Sequence, residues 1–289
     1  MIVVFGSINV DIVVPVPHLP APGETVLGSD YRIAPGGKGA NQALAARRAG
    51  SDVVMCGMVG RDAFADIALA GLRRDGVDLR HVATGQRPTG CATITVDAAG
   101  ENAIAVSSGV NLDIKAGELP DTLLGMRTIL VLQREVPMAE NAASIRRARD
   151  RGARIVLSLA PAGPIASASY KDIDILIANE SEAATLDADV PRRLRQALIV
   201  TRGAAGAIAH LADGHEVAVP ALEIDPVDTT GAGDTFAGVL AAGLDQGLDL
   251  KAAMRRASVA AALACLSIGA QDAMPERVAI EAAMSRLQG

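Results

Sequence analysis

The sequence predicts an α/β fold built on a mostly parallel central sheet, with a small second sheet beside it. Three observations carry that prediction. Short runs rich in Val, Ile and Leu alternate with helical patterns over most of the 289 residues, as crossover connections between parallel strands require. Two stretches, 10–34 and 88–107, break the alternation with strands and turns that have no helix between them. Half of the residues are hydrophobic, yet only 2% are aromatic and Trp is absent. The core is therefore expected to consist of Ala, Val, Leu and Ile, which suits parallel strands under small-residue helices.

Core strands are expected at Ile2–Phe5, Val53–Gly57, Thr128–Leu132, Ile155–Leu159, Ile173–Ala178 and Ala197–Thr201. Each is an apolar run of strand rather than helix length. The N-terminal MIVVFGSINVDIVV reads as a strand; it lacks a basic leader and carries Asn9 and Asp11, so it is not a signal peptide. Helical patterns fill Gly39–Ala49, Ala63–Arg74, Ala139–Arg151, Thr235–Gln246, Leu250–Leu266 and Pro275–Leu287. In the second irregular stretch Thr93, Thr95, Glu101 and Asn102 surround Ile94, Val96 and Ile104, and Ala98–Gly100 supplies a hairpin turn. The two irregular stretches are expected to pair into a lid over one principal domain spanning 1–289.

The net charge is −6 with no polybasic block, which argues against a nucleic-acid surface. Cys56, Cys91 and Cys265 are odd in number and widely spaced; they make no disulfide framework or zinc knuckle and fit a reducing cytoplasm. His18, His81, His210 and His215 show no metal-ligand spacing. The longest uncharged run, Ala257–Gln271, falls short of the ~18 residues of a membrane span. The expected protein is cytoplasmic, with neither nucleic-acid nor membrane partners.

Three segments carry chemistry. In DTTGAGDTFA (228–237) a Gly-Ala-Gly turn opens a helix whose Phe236, Val239, Leu240 and Leu244 share one face. Unpaired N–H groups of Ala232, Gly233 and Asp234 would form an anion hole at the positive end of the helix dipole. Gly231 and Gly233 supply the dihedrals and let phosphate approach. Asp234 repels such a ligand. Either it merely caps the helix, or it accepts a proton from a hydroxyl attacking a phosphoryl group held in the hole. In PGGKGANQA (35–43), Gly36, Gly37 and Gly39 expose amides while Lys38 and Asn41 project polar groups. It is not a Walker loop and could be an ordinary strand-to-helix turn. In GSINVD (6–11), Asn9 and Asp11 emerge on one strand face; they suit neighbouring sugar hydroxyls or bind water at a strand end.

GSINVD, PGETV (22–26), GGKGANQA and DTTGAGDTFAG, in this order, resemble the ribokinase branch of the PfkB carbohydrate kinase family from about Val3 to Pro275. The resemblance implies a ribokinase-like three-layer α/β/α sandwich with a β-sheet lid, and a homodimer through the lid's exposed strand edges. It implies an ATP-dependent phosphotransferase whose first-choice substrate is D-ribose, phosphorylated at its terminal hydroxyl. Asn9, Asp11, the Gly37–Asn41 loop (Gly37, Lys38, Gly39, Asn41) and Glu135 would hold the sugar. Asp234 would be the base, with Gly233 in the anion hole. Asn179 and Glu182 match a motif for phosphate and hydrated Mg2+. Thr201, Gly203, Gly206 and Ser258 would flank the nucleotide. A monovalent cation site, usually K+, would use Asp228 and oxygens near Thr230, Ala264, Ser267, Gly269 and Ala273.

Two departures stand out. The chain between Glu182 and Thr201 is shorter than is usual in the family, its remnant Val190–Gln196 carrying Arg192, Arg193 and Arg195, so a shifted strand and an altered nucleotide loop are expected. Asp272 stands in the proposed cation loop. Other readings are a kinase for another sugar or a nucleoside, and a silent sugar- or nucleotide-binding sensor. A dinucleotide-dependent dehydrogenase fits poorly, since Gly231-Ala-Gly233 lacks the third glycine and lies near the C-terminus.

Overall fold

The computed structural model describes residues 1–286; the predicted helix end at Leu287 lies outside the described residues. The chain runs β1 (Ile2–Phe5), β2 (Asn9–Pro15), β3 (Arg32–Gly36), α1 (Lys38–Arg48), β4 (Val53–Val59), α2 (Ala63–Arg74), β5 (Asp78–Thr84), β6 (Gly90–Val96) and β7 (Asn102–Ser107). It continues through β8 (Ile129–Leu132), α3 (Met138–Asp150), β9 (Arg154–Ser158), β10 (Ile175–Asn179), the short α4 (Glu180–Ala183) and α5 (Val190–Arg193), and β11 (Ala197–Thr201). Last come β12 (Ala207–Leu211), β13 (Glu216–Val219), α6 (Ala232–Asp245), α7 (Leu250–Ala264) and α8 (Arg277–Arg286).

Among the described residues nine strands form the main sheet, in the order β13-β12-β11-β10-β9-β8-β1-β4-β5. Neighbours from β11 to β5 run parallel. Ile2 and Val4 of β1 pack into one buried cluster with Leu44 of α1, Leu240 of α6 and Met254 of α7. Val3 and Phe5 turn into a second cluster with Ile145 of α3. A strand between two helical layers has no solvent face, which is why all of β1 is apolar. The result is the three-layer sandwich.

β12 and β13 attach antiparallel, because the connections flanking β12 are too short for a crossover helix. Neither they nor β5 were legible as core strands. β5 is a half-buried sheet edge carrying Asp78 and Arg80, and β12 carries His210 in its pairing with β13. The strand after the shortened segment is not shifted: β11 occupies the predicted Ala197–Thr201 and pairs in register with β10. The helix before it is a single turn, Val190–Arg193.

The second sheet has the order β3-β2-β6-β7. It draws its strands from the two irregular stretches, and the Gly100 amide closes the hairpin turn by donating a hydrogen bond to the Asp97 carbonyl at 3.0 Å. One expectation needs correction here. The N-terminal run is two strands rather than one: β1 belongs to the main sheet, while β2, starting at Asn9, belongs to the second. The break falls at Gly6–Ile8, where a side chain on Gly6 would collide with the Gln133 amide. Asn9 and Asp11 therefore stand at the junction of the two sheets.

Three glycines set how closely the surrounding backbones approach. A Cβ on Gly39 would lie 2.7 Å from the Ser7 amide nitrogen and carbonyl oxygen, and one on Gly37 2.7 Å from the Asn9 nitrogen. On α6, a Cβ at Gly238 would overlap the Gln42 carbonyl and come within 2.7 Å of the Ala45 Cβ, so this glycine lets α1 and α6 touch backbone to backbone. Gly238→Ala should lower thermal stability by about 1–3 kcal/mol through overpacking. Gly233→Ala, where a Cβ meets nothing within 4 Å, should leave the melting temperature unchanged or slightly higher. Melting curves of the two variants check the pair; equal losses would contradict the close-approach argument.

Candidate active site

Where the two sheets meet, β2, the starts of α1 and α6 and the segment after β8 enclose a cavity of about 460 Å3. Asn9, Asp11, Gly37, Lys38, Asn41, Glu135, Thr230, Gly231 and Asp234 line it. Three sequence segments and Glu135 thus converge on one space. Asn9 and Asp11 share a strand face, as period-2 geometry requires.

Glu135 is tied down from three sides. Its Oε2 accepts from the Ser7 hydroxyl at 2.6 Å, the Lys38 amide at 3.0 Å and the Asn9 side chain at 3.5 Å. Asn9 is oriented in turn by the buried Asn111, whose Nδ2 donates to Asn9 Oδ1 at 2.7 Å. Asn111 also bridges both backbone groups of Ile8, completing hydrogen bonds that the strand break leaves open. Gly90 leaves room for this Asn–Asn pair, and Gly36 for the Asp11 carboxylate, which a Cβ would overlap. Gly36 thus serves space rather than an exposed amide. Gly39 likewise donates its amide to Ser7 Oγ at 3.2 Å and supports the loop from beneath.

Asp234 sits in the first turn of α6 and is 7% exposed. It does not cap the helix, whose N-cap is Gly231 at φ 78° with no side-chain cap bond. Its carboxylate turns instead to α1: Asn41 Nδ2 donates to Oδ2 at 3.0 Å and Gln42 Nε2 to Oδ1 at 2.9 Å. The expected anion hole needs one correction. The Ala232 amide is spent on the Thr229 carbonyl at 3.2 Å, as a tight αL turn draws it inward, whereas those of Gly233 and Asp234 meet no backbone carbonyl among the described residues.

Charge in the cavity is unbalanced. Asp11 is raised from 3.8 to about 6, first by burial and then by the Glu135 and Asp234 carboxylates facing it. Lys38 titrates above its ordinary value because Asp234, helped by Glu135, outweighs the cost of burial. The Arg134 guanidinium also lines the cavity, but it is bound to the Pro161 and Pro164 carbonyls.

The remaining predicted residues lie outside this cavity's lining. Asn179 and Glu182 form a reciprocal capping box at α4: the Glu182 amide donates to Asn179 Oδ1 at 2.8 Å and the Asn179 amide to Glu182 Oε2 at 2.9 Å. Glu182 is still close enough to contribute to the field at Lys38. Thr201 ends β11, and Gly203 and Gly206 take positive φ in the loop that follows. Gly203 has open space above it, whereas a side chain on Gly206 would strike the β13 backbone. Ser258 is buried on α7 and donates its hydroxyl to the Pro220 carbonyl at 2.9 Å.

Asp228 closes the loops below α6. Its Oδ1 accepts the Thr230 amide at 2.9 Å and its Oδ2 the Gly269 amide at 2.8 Å. Partial burial opposes its charge, but these bonds outweigh it and hold the carboxyl below its usual range. Ala264 ends α7 as a buried residue, and Ser267, Gly269 and Ala273 follow in the loop. Asp272 is exposed, and its charge is felt at Arg74.

Ser7, Gln42, Asn111, Arg134 and Gln271 were missed. Gln42 stands inside the glycine motif already singled out. Gln271, whose Nε2 donates to Asn41 Oδ1 at 3.1 Å, and Asn111 are isolated polar residues whose partners lie more than a hundred positions away.

The chain matches the model of the pfkB family carbohydrate kinases over residues 1–277. It is similar to a ribokinase of Bacillus subtilis, 35% identical over 291 residues that cover 98% of this chain and 99% of that protein. A deoxyribokinase of Salmonella typhi is 33% identical over 292 residues, 95% of each chain. The structure of an Arabidopsis thaliana ribokinase complexed with ribose and ATP superposes with a TM-score of 0.88 at 27% identity, covering 98% of both chains. On this full-length match the chain belongs to the pfkB family of carbohydrate kinases, ATP-using phosphotransferases with an alcohol group as acceptor.

Proposed function

We propose that this protein phosphorylates the terminal hydroxyl of a pentose, with D-ribose to ribose 5-phosphate as the first choice. The observation that carries the reading is the convergence of Asn9, Asp11, Asn41 and Glu135 on the cavity into which Asp234 opens. Asp11 and the free oxygen of Glu135 accept from neighbouring sugar hydroxyls, and Asn9 and Asn41 donate or accept. Asp234 takes the proton of the attacking hydroxyl. Each of its oxygens receives one protein donor and keeps a lone pair for that proton. The free amides of Gly233 and Asp234 and the positive end of α6 meet the transferred phosphoryl group, with Lys38 as a further cation.

The nucleotide is proposed to lie along the carboxyl ends of β10 and β11, near Asn179, Thr201, Gly203, Gly206 and Ser258, as ligands do in open α/β sheets. Mg2+ would come with its phosphates and meet the half-buried Glu182 through water. The described residues hold no cluster of three or more His, Cys, Asp or Glu suited to a metal ion, so the chain alone offers a divalent ion too few ligands. For K+ the donor set is all oxygen: the Asp228 carboxylate and carbonyls near Thr230, Ala264, Ser267, Gly269 and Ala273. Among the described residues no backbone amide outside the regular elements donates to the Ser267, Gly269 or Ala273 carbonyls, which leaves these oxygens open to a hard cation. The second sheet acts as a lid that excludes water during transfer. Its edge strands β3 and β7 pair with a second copy in this reading.

A second substrate reading has its own support. Ala92, Ile94, Ile104, Val106, Leu112 and Val136 give the cavity an apolar wall, which suits a sugar lacking a hydroxyl or one bearing a base. ADP release measured over ribose, deoxyribose, hexoses and nucleosides, with and without K+, separates the readings; fastest turnover on a nucleoside would displace ribose.

Asp234→Asn should lower kcat by about 10²–10⁴-fold with sugar binding largely kept, the usual worth of a positioned base. Near-normal turnover would refute the assignment. For Asp11, whose carboxyl is raised to about 6, the folded state holds extra proton between the ordinary value and about 6. Its ionisation therefore weakens the fold as pH rises through that window. Asp11→Asn should raise the melting temperature at neutral pH while raising sugar KM. In the wild type, sugar KM should climb as pH falls below about 6, because a protonated carboxyl loses acceptor capacity. A KM flat across that window would remove Asp11 from the sugar contacts.

A further inference from the structure

We propose that Gln42 and Gln271 are positioning residues for the Asp234 carboxylate, Gln42 by direct donation and Gln271 through Asn41. The inference rests on the kinase reading above and adds the groups that hold its base.

Gln42 is 0% exposed and Gln271 2%. Each leaves its side-chain carbonyl oxygen without a partner among the described residues, a cost that an apolar side chain of the same length would avoid. Packing alone gives no reason for two such amides. Their donor ends do: Gln42 Nε2 reaches Asp234 Oδ1 at 2.9 Å, and Gln271 Nε2 reaches Asn41 Oδ1 at 3.1 Å. An Asn amide can present either oxygen or nitrogen. By taking Asn41 Oδ1, Gln271 turns Asn41 Nδ2 toward Asp234 Oδ2 at 3.0 Å. Two donors, one per oxygen, then fix the plane of the carboxylate.

The charges facing Asp234 show why it needs holding. Asp11 of β2 and Glu135 repel it, and Lys38 attracts it; with no other restraint the carboxylate would swing toward Lys38 and off the line of the attacking hydroxyl. The restraint is rigid because one helix supplies both ends of it. α1 carries Asn41 and Gln42 in its first turns. In its last turn Arg48, 8% exposed, donates to the Gln271 carbonyl at 2.6 Å and the Met274 carbonyl at 2.8 Å. The loop bearing Gln271 is thereby clamped to the helix that bears its target.

The test measures kcat, sugar KM and ATP KM for Gln42→Glu and Gln271→Met from about pH 8 to about pH 5.5. Glu at 42 donates only when protonated and repels Asp234 when ionised. The ratio of its kcat to that of the wild type should therefore rise at least about tenfold as pH falls across that range, while both KM values stay within about twofold of the wild-type values at the same pH. Misfolding or loss of packing gives no such pH-dependent rescue. Gln271→Met should lower kcat several-fold in the wild-type background but not in Asn41→Leu, because its effect passes through Asn41. A ratio independent of pH, or a Gln271→Met effect that persists without Asn41, overturns the proposal. Wild-type protein that turns over none of the pentoses, hexoses or nucleosides overturns the kinase reading instead, which keeps the two failures apart.

Discussion

The site depends on three backbones coming closer than side chains normally allow. The break between β1 and β2, the start of α1 and the inner face of α6 meet at Gly39, Gly37 and Gly238. Any Cβ there would push apart the elements that carry Asn9, Asn41 and Asp234. Chemistry at this scale tolerates little displacement, since hydrogen bonds of 2.9–3.0 Å from α1 to Asp234 weaken steeply when helices separate. The glycines of the motifs therefore act mainly as contact surfaces. Only Gly37 and Gly231 also take a positive φ among the site glycines of the two motifs.

Given that close packing, the charge pattern follows. Asp11, Glu135 and Asp234 crowd one cavity with Lys38 as their nearest cation. Water would screen such a group, but burial removes much of that screening. The free site is thus kept under electrostatic strain, visible in the raised Asp11. In the proposed reading a polyhydroxy ligand would relieve it by donating hydroxyl hydrogens to the carboxylates, and a cation arriving with phosphate would relieve it further. Binding and stability would then pull in opposite directions at Asp11, as is common where residues are selected for a ligand.

The parallel core was legible because its signal is local: four to seven consecutive apolar residues between helical patterns identify β1, β4, β8 and β11 without any tertiary information. β5, β12 and β13 were illegible because edge and hairpin strands mix polar residues into the run, and their identity depends on what they pair with. The cavity-lining residues were readable where they sit in motifs with unusual glycine density. Asn111 and Gln271 were not: each acts through one hydrogen bond formed across the fold. The split of the N-terminal run between two sheets was legible in outline, with Ile2–Phe5 expected in the core and 10–34 in the second sheet, but the point of the break was not. Its apolar residues continue through Ile8 and Val10, and only the close approach of Gln133 shows that position 6 has no room for a side chain.

Asn41 shows how far one side chain can be shared. It lines the cavity, so it can meet a sugar hydroxyl, and its Nδ2 already donates to Asp234. Its Oδ1 is taken by Gln271, which leaves one amide hydrogen and one lone pair for a ligand. In the proposed reading a sugar bound there would be hydrogen-bonded to the same group that orients the base, so its placement relative to Asp234 would be set by a single amide plane rather than by two independent contacts. Substrate recognition and base alignment would then not vary separately at this position, because a rotation of Asn41 to suit a different sugar would also turn its donor away from Asp234.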